Sequence, residues 1–333
     1  MNETAVLARE YRSDTLDNVF RGFLAIVDRL GKVVYSLGDP DAIVFYRSAS
    51  KPIQALPAIA ARLDESYGIT ERESVIFAGS HAGEDFHISA LESIFKKAGL
   101  NENDLIMQPA FPAHVLSNEA RLGAGLPRRK FYHNCAGKHA ALMLIQRNAG
   151  ANVKDYWQMG SAADRLVRNA ITTLGEHPIA EDGIDGCGVP VFAVPVKSIA
   201  TAYKNLACPD HIKDDRLADA AARFVPRIHE NPRMMRGTGF LCGHINEDEN
   251  LIAKGGAAGV YGIGLKKEGL GVAFKVESGS EDAWPTIIKA VLEGLGALRP
   301  ETAAMLESLG ASVFKNDCGV TALRREAGFT VSV

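Results

Sequence analysis

Gly271-Val-Ala-Phe-Lys-Val-Glu277 alternates in the manner of a half-buried strand, and comparable runs stand at the far end of the chain. Phe23 to Asp28 and Lys32 to Leu37 are apolar, β-branched runs joined by Arg-Leu-Gly, the pattern of an early hairpin. Between these ends, apolar residues recur mostly at helical spacing. Helices are expected from Lys51-Pro52 through Ala60, over Phe86 to Leu100, from about Gly137 to Asn148, from the Ser161 cap onward, and over Asp214 to Val225, ending at Pro226. Val75 to Ala78 reads as a strand-like run, and Val191 to Val196, interrupted by Pro195, as an edge strand. Asp282 to Leu298 and Glu301 to Leu309 close the chain as helices. Strand-rich ends must meet to bury their apolar faces. The expected class is therefore α+β: a central, mostly antiparallel sheet flanked by helices, with a helix-rich insertion. The chain reads as one catalytic domain over 1–333, divisible into a sheet-containing part (1–60 plus 235–333) and a helix-rich part (61–234).

The 333 residues carry 37 Lys+Arg against 40 Asp+Glu, a formal charge of −3, with 47% hydrophobic residues. That balance argues against a nucleic-acid partner, which needs a basic face. No stretch approaches the roughly 18 uninterrupted apolar residues of a membrane span. The opening MNETAVLAREYRSD lacks the basic flank and apolar core of a signal peptide, and the 5 cysteines are too few and odd for a disulfide framework. A cytoplasmic protein is expected. No dinucleotide fingerprint follows a strand and there is no P-loop. The 32 glycines cluster at 183–188, 237–243, 255–264 and 269–271, where sharp turns or close approach of a ligand would require them.

Ser48-Ala-Ser-Lys51 has the S-x-x-K spacing that brings a hydroxyl and an amine together across one helical turn. A serine is a poor nucleophile near neutral pH, so a base must take its proton. A lysine does this once burial or positive charge, such as that of Arg47, lowers its pKa. The spacing alone is weak, because Ser93-Ile-Phe-Lys96 and Ser312-Val-Phe-Lys315 repeat it. The first copy stands apart because it begins a helix after the extended Val44-Phe-Tyr46. A second serine, Ser80, lies in the glycine-flanked Gly79-Ser-His-Ala-Gly83, and Lys254-Gly-Gly256 follows the apolar Leu251-Ile-Ala253. Taken singly, these read equally well as a turn serine and a solvated strand-end lysine.

Asn134-Cys-Ala-Gly-Lys-His139 gathers Cys135, Lys138 and His139 on about one helical turn, and Asp185-Gly-Cys-Gly188 supplies Cys187. Two thiolates with a nitrogen from Lys138 or His139 would make a three-ligand zinc site with an open position. The bland reading is a pair of small buried cysteines. Cys208, Cys242 and Cys318 lack such companions and read as packing residues.

Five segments together resemble the rhizobial-type (class 3) L-asparaginases. They are Arg47-Ser-Ala-Ser-Lys-Pro-Ile-Gln54, Gly79-Ser-His-Ala-Gly-Glu84, Asn134-Cys-Ala-Gly-Lys-His139, Asp185-Gly-Cys-Gly-Val-Pro190 and Lys254-Gly-Gly-Ala-Ala-Gly259. The resemblance runs from about residue 12 to 331. It implies a fold like that of serine β-lactamases and glutaminases, a homodimer, and hydrolysis of L-asparagine to aspartate and ammonia. It further implies Ser–Lys tandems of Ser48 with Lys51 and Ser80 with Lys254, and zinc held by Cys135, Lys138 and Cys187. Arg47, His139 and Asp185 fall at substrate-pocket positions. The nucleophile stays open between Ser48 and Ser80. Two departures stand out: Asp17-Asn-Val-Phe20 where the family usually has Glu-Ser-x-His, and Ser278-Gly279 where it often has Asp-Gly. A glutaminase, another Ser–Lys amidohydrolase, a β-lactamase-like acylase and a catalytically silent small-molecule binder are the rival readings.

Overall fold

The computed structural model describes residues 3–332. Its strands are β1 (Ala5–Arg12), β2 (Thr15–Val27), β3 (Val33–Leu37), β4 (Ile43–Phe45), β5 (Glu181–Ile184), β6 (Pro190–Pro195), β7 (Leu251–Gly256), β8 (Val260–Leu265), β9 (Leu270–Val276), β10 (Val313–Lys315) and β11 (Thr321–Ala327). The chain divides into two compact units. The first comprises the chain up to Ala49, Ala193–Cys208, and everything from Asn250 on; the second comprises Ser50–Phe192 and Pro209–Glu249.

The first unit holds an 8-stranded sheet in the order β10-β11-β1-β2-β9-β8-β7, with β3 also paired to β2. Every pairing in it is antiparallel. The α+β class with a mostly antiparallel sheet is thus the one observed, and the late strand from Gly271 pairs with the early Phe23–Val27 run as expected. β1, β10 and β11 were not anticipated. Thr321-Ala-Leu-Arg-Arg-Glu-Ala327 is too charged to read as a strand, yet Arg325 stands opposite the buried Glu10 in the ladder and pairs with its carboxylate at 2.5 Å.

The helix Val196–Ala207 lies against β2, β8 and β9 in this unit. The glycines explain how closely. A Cβ at Gly271 would sit 2.0 Å from the Ala200 carbonyl oxygen, and one at Gly262 would sit 2.1 Å from the Tyr203 ring. The clusters at 255–264 and 269–271 therefore serve helix-on-sheet packing at these positions, which composition alone cannot distinguish from approach of a ligand.

The second unit is helical. Ala136–Asn148, Ala162–Gly175 and Asp215–Glu230 pack around Lys51–Ala60, with Asp85–Ala98 against Ala136–Asn148. Lys51 through Ile59 are all buried, so the helix they form is the centre of the unit. Ser161 caps its helix as expected, accepting from the Asp164 amide at 3.1 Å. Two readings need correction. Val75–Ala78 is a buried 3-10 turn, because four apolar residues in a row carry no period to separate strand from helix. The helix expected to end at Pro226 runs through it to Glu230. Pro226 and Ala222 are both exposed, so water meets the carbonyl that the proline cannot bond, while Phe224, Val225 and Ile228 continue the buried face. Cys318 is exposed, not a packing residue; Cys208 and Cys242 are buried.

Gly137 sets the spacing of the site helices: a Cβ there would lie 2.1 Å from the Ile76 carbonyl oxygen. Gly137→Ala is expected to destabilise the protein by about 1–3 kcal/mol, read as a lowered urea midpoint, since backbone rather than a movable side chain blocks the methyl. An unchanged midpoint would show that these helices can separate freely.

Candidate active site

Lys51 begins the central helix of the second unit and is fully buried. Its ammonium donates to the Gly79 carbonyl at 2.9 Å, to Ser80 Oγ at 2.8 Å and to the Asn134 carbonyl at 3.4 Å. Burial lowers its pKa and Lys138 lowers it further, while the thiols of Cys135 and Cys187 pull it back. A buried amine eased toward its neutral form and touching a hydroxyl has the arrangement of a general base.

Ser80 follows the 3-10 turn Val75–Ala78 and is itself buried. Its amide donates to the Met235 carbonyl at 2.8 Å, and its carbonyl accepts from Arg236 Nη1 at 2.8 Å. The next residue, His81, is fully buried, finds no hydrogen-bond partner for either ring nitrogen among the described residues, and stacks on His87 at 5.3 Å.

Cys135 caps the helix Ala136–Asn148 and donates to Asn134 Oδ1 at 3.3 Å. One turn on, Lys138 Nζ lies 3.1 Å from Cys187 Sγ and 3.7 Å from Asp185 Oδ2. A tight turn places Asp185 and Cys187: the Gly188 amide bonds the Asp185 carbonyl at 2.8 Å, with Gly188 at φ +91°. A hydrogen bond from Cys187 and the two lysines hold the Cys135 thiol well below its ordinary pKa, and that partnership with burial pushes Cys187 up. Lys138 is raised despite burial, because both sulfurs and Asp185 favour its charge.

The zinc implied by the resemblance can be tested against these donors. Among the described residues no group of three His, Cys, Asp or Glu is placed to hold a metal, so the set the resemblance implies would take its third donor from Lys138. Two sulfurs and a nitrogen suit zinc, and donors sharing a tetrahedral zinc stand about 3.6 Å apart. The 3.1 Å between Lys138 and Cys187 is close to that spacing. The residues fit.

His139 Nδ1 lies 2.7 Å from the Tyr156 hydroxyl, which also accepts from the Ile106 amide at 3.0 Å. Burial keeps His139 neutral. The neutral ring carries its hydrogen on one of its two nitrogens, and the Tyr156 hydroxyl can serve Nδ1 as donor or acceptor. The buried Nε2 has no hydrogen-bond partner among the described residues.

The remaining expected residues belong to the first unit. Ser48 is half-buried in the 3-10 turn Arg47–Ser50, which opens with Arg47 at φ 49°, a left-handed conformation that costs a non-glycine residue about 1–2 kcal/mol. Lys254 is buried on β7 and donates to the Gly255 carbonyl. A Cβ on Gly256 would come 2.7 Å from the Ala49 amide nitrogen and 3.1 Å from that of Ser48, so the glycine lets β7 approach this turn. Tyr203 ties the two together, its hydroxyl 2.7 Å from the Ala49 carbonyl and 3.4 Å from that of Lys254. Tyr156 and Arg236 touch the site residues and were missed; neither lies in a recognisable motif.

A buried serine–lysine contact beside a sulfur–nitrogen donor cluster is chemistry for opening an acyl bond. Residues 8–323 match the L-asparaginase II family, and the chain belongs to this family of amidohydrolases. No curated protein matches the sequence. Among solved structures, the native form of Mglu is 16% identical, aligning 78% of this chain with 59% of that one at a TM-score of 0.44. A β-lactamase from Mycobacterium bovis is 17% identical over 82% of this chain and 94% of its own, TM-score 0.45. A Bacillus glutaminase is 12% identical over 78% and 84%, TM-score 0.37. The chain therefore spans about three fifths of the Mglu length.

His87 is a buried imidazole whose pKa burial lowers to about 4. A depressed histidine stabilises the fold fully above its unfolded pKa of about 6.5 and loses that contribution as pH falls toward the folded value. Between pH 7 and 5 this one group is expected to remove about 2 kcal/mol of unfolding free energy. His87→Gln, measured by urea unfolding at both pH values, should lose that part of the slope; an undiminished slope would show that His87 is not the group responsible.

Proposed function

We propose that the protein hydrolyses L-asparagine to L-aspartate and ammonia through a lysine-activated serine and an acyl-enzyme, as a zinc-binding asparaginase of the rhizobial type. The observation that carries this reading is the 2.8 Å contact between Lys51 Nζ and Ser80 Oγ, in an enclosed setting whose burial lowers the lysine's pKa.

Ser48, three residues before Lys51, is assigned the attack because its half-exposed position is open to a substrate, whereas Ser80 is buried. Lys51 takes the Ser48 proton as Oγ bonds the carboxamide carbon, and passes it through Ser80 toward the leaving nitrogen, which departs as ammonia. Water then cleaves the ester and releases aspartate. Lys254 assists Ser80 in returning the proton. Asp185 receives the substrate ammonium, Arg47 its α-carboxylate, and His139 lines the pocket with its Nε2 turned to a polar atom of the substrate. Cys135, Lys138 and Cys187 would hold zinc, whose positive charge would orient the bound substrate. Lys138 must shed its proton to serve as a ligand, so metal uptake should release protons and weaken at low pH. The reading extends to a cytoplasmic homodimer. In the structure itself, no helix among the described residues is long and apolar enough to cross a membrane.

Lys51→Met should lower kcat by about 10²–10⁴-fold, the usual worth of a general base. Ser48→Ala should abolish turnover, with Ser80→Ala impaired but measurable; wild-type turnover in Ser48→Ala with none in Ser80→Ala would exchange their roles. The ratio of kcat/KM for asparagine and glutamine separates an asparaginase from a glutaminase, since one methylene is worth about 1–3 kcal/mol in a pocket. Cys135→Ser is expected to lose zinc by metal analysis and to raise KM for asparagine more than it lowers kcat. Metal-free wild-type protein with an unchanged KM would remove the orienting role.

A further inference from the structure

Ser80 lies in neither a helix nor a strand, so no regular ladder fixes its peptide. The segment Met235–Thr238 does so instead. The Met235 carbonyl accepts from the Ser80 amide at 2.8 Å, and the Arg236 carbonyl accepts from the Ala82 amide at 2.7 Å. Arg236 then reaches back with its side chain, donating from Nη1 to the Ser80 carbonyl at 2.8 Å. Two residues on, the Thr238 amide donates to Glu84 Oε1 at 2.7 Å. Gly79 completes the fit, since a Cβ there would lie 2.8 Å from the Met234 carbonyl oxygen. The guanidinium is steadied over the Phe240 ring, 4.8 Å from its centre.

We propose that Arg236 is a positioning residue for Ser80, setting the Ser80 peptide so that its hydroxyl meets Lys51. The inference rests on the reading that Ser80 takes part in the reaction. Among these bonds, the one from the guanidinium is the only one a side-chain substitution at 236 removes; the backbone bonds of 235 and 236 stay. It is charge-assisted, and so among the stronger contacts available to a buried carbonyl. Without it the Ser80 peptide can rotate and carry Oγ away from Lys51 Nζ. Misplacement of a reacting group by about 1 Å can cost 10²-fold in rate. The contacts of Arg236 described above go to the Ser80 peptide and the Phe240 ring, so substrate affinity should hold while turnover falls.

The test is steady-state kinetics with asparagine on Arg236→Ala, Arg236→Lys, Ser80→Ala and the Ser80→Ala/Arg236→Ala double variant, each checked for its melting temperature. Arg236→Ala should lower kcat by about 10–100-fold with KM nearly unchanged. Arg236→Lys, which keeps one donor, should recover part of the loss and remains the informative variant if the alanine protein folds poorly. Low-millimolar guanidinium should restore part of kcat to Arg236→Ala and none to wild type, which a merely structural defect would not allow. The double variant should be no slower than Ser80→Ala, as expected of residues acting through one another. Wild-type kcat in Arg236→Ala beside an impaired Ser80→Ala would overturn the inference, and so would losses that multiply in the double variant. Wild-type kcat in Ser80→Ala would instead overturn the role of Ser80.

Discussion

Burying a lysine amine is costly, and the second unit is organised around meeting that cost at Lys51. The residue cannot turn outward, because the helix it begins is enclosed from Lys51 through Ile59. Its three donors must find acceptors in place, and they find the Gly79 carbonyl, Ser80 Oγ and the Asn134 carbonyl. Two of these belong to the turn that ends the buried Val75–Ala78 segment, and the third directly precedes Cys135. One requirement of a single amine thus fixes where the second serine stands and where the thiol-bearing helix begins. Gly137 has the same logic on the other side, since that helix can come so near the Ile76 carbonyl only without a methyl group.

The same enclosure governs the neighbouring titratable groups. His81, His87 and His139 are all kept neutral chiefly by burial, whereas Lys138 is driven toward its charged form by two sulfurs and a carboxylate. The donor cluster thus holds charge beside imidazoles that stay neutral. The Tyr156–His139 pair shows what that permits: a neutral ring with Nδ1 engaged by a hydroxyl and Nε2 without a partner among the described residues.

Much of the architecture was legible in the sequence where periodicity was strong. The early hairpin, the Gly271 strand and the helices at Asp85–Ala98 and Ala136–Asn148 all carry their pattern openly. The failures have physical causes. β11 was hidden because its charged residues sit on a partly exposed strand and satisfy one another across the ladder, as Arg325 does with Glu10. Pro226 misled because a proline on the wet side of a helix breaks one bond without ending the helix. For the site, the motifs brought Lys51, Ser80, Cys135, Lys138 and Cys187 into view, whereas the partner of Lys51 was legible only as an option: S-x-x-K names a serine three residues away in the chain, and the hydroxyl bonded to the amine comes from a distant turn. Tyr156 and Arg236 act through contacts between segments far apart in sequence, which no local spacing encodes.

The pairing of β1 and β2 with β9 and β11 also bears on how the protein is made. β1 and β2 are made well before their ladder partners β11 and β9, so the principal sheet stays open until those later strands have been polymerised. At about 5–20 residues per second that is a wait of tens of seconds, during which the apolar runs of β2 have the β1 and β3 pairings and then the helix Val196–Ala207 for shelter. Much of the second unit is read out within that interval as a continuous stretch rich in local helical contacts, the kind that form quickly. Nascent chains stalled before β9 should accordingly be the ones that engage chaperones, and truncations at the far end should harm yield out of proportion to the few residues removed.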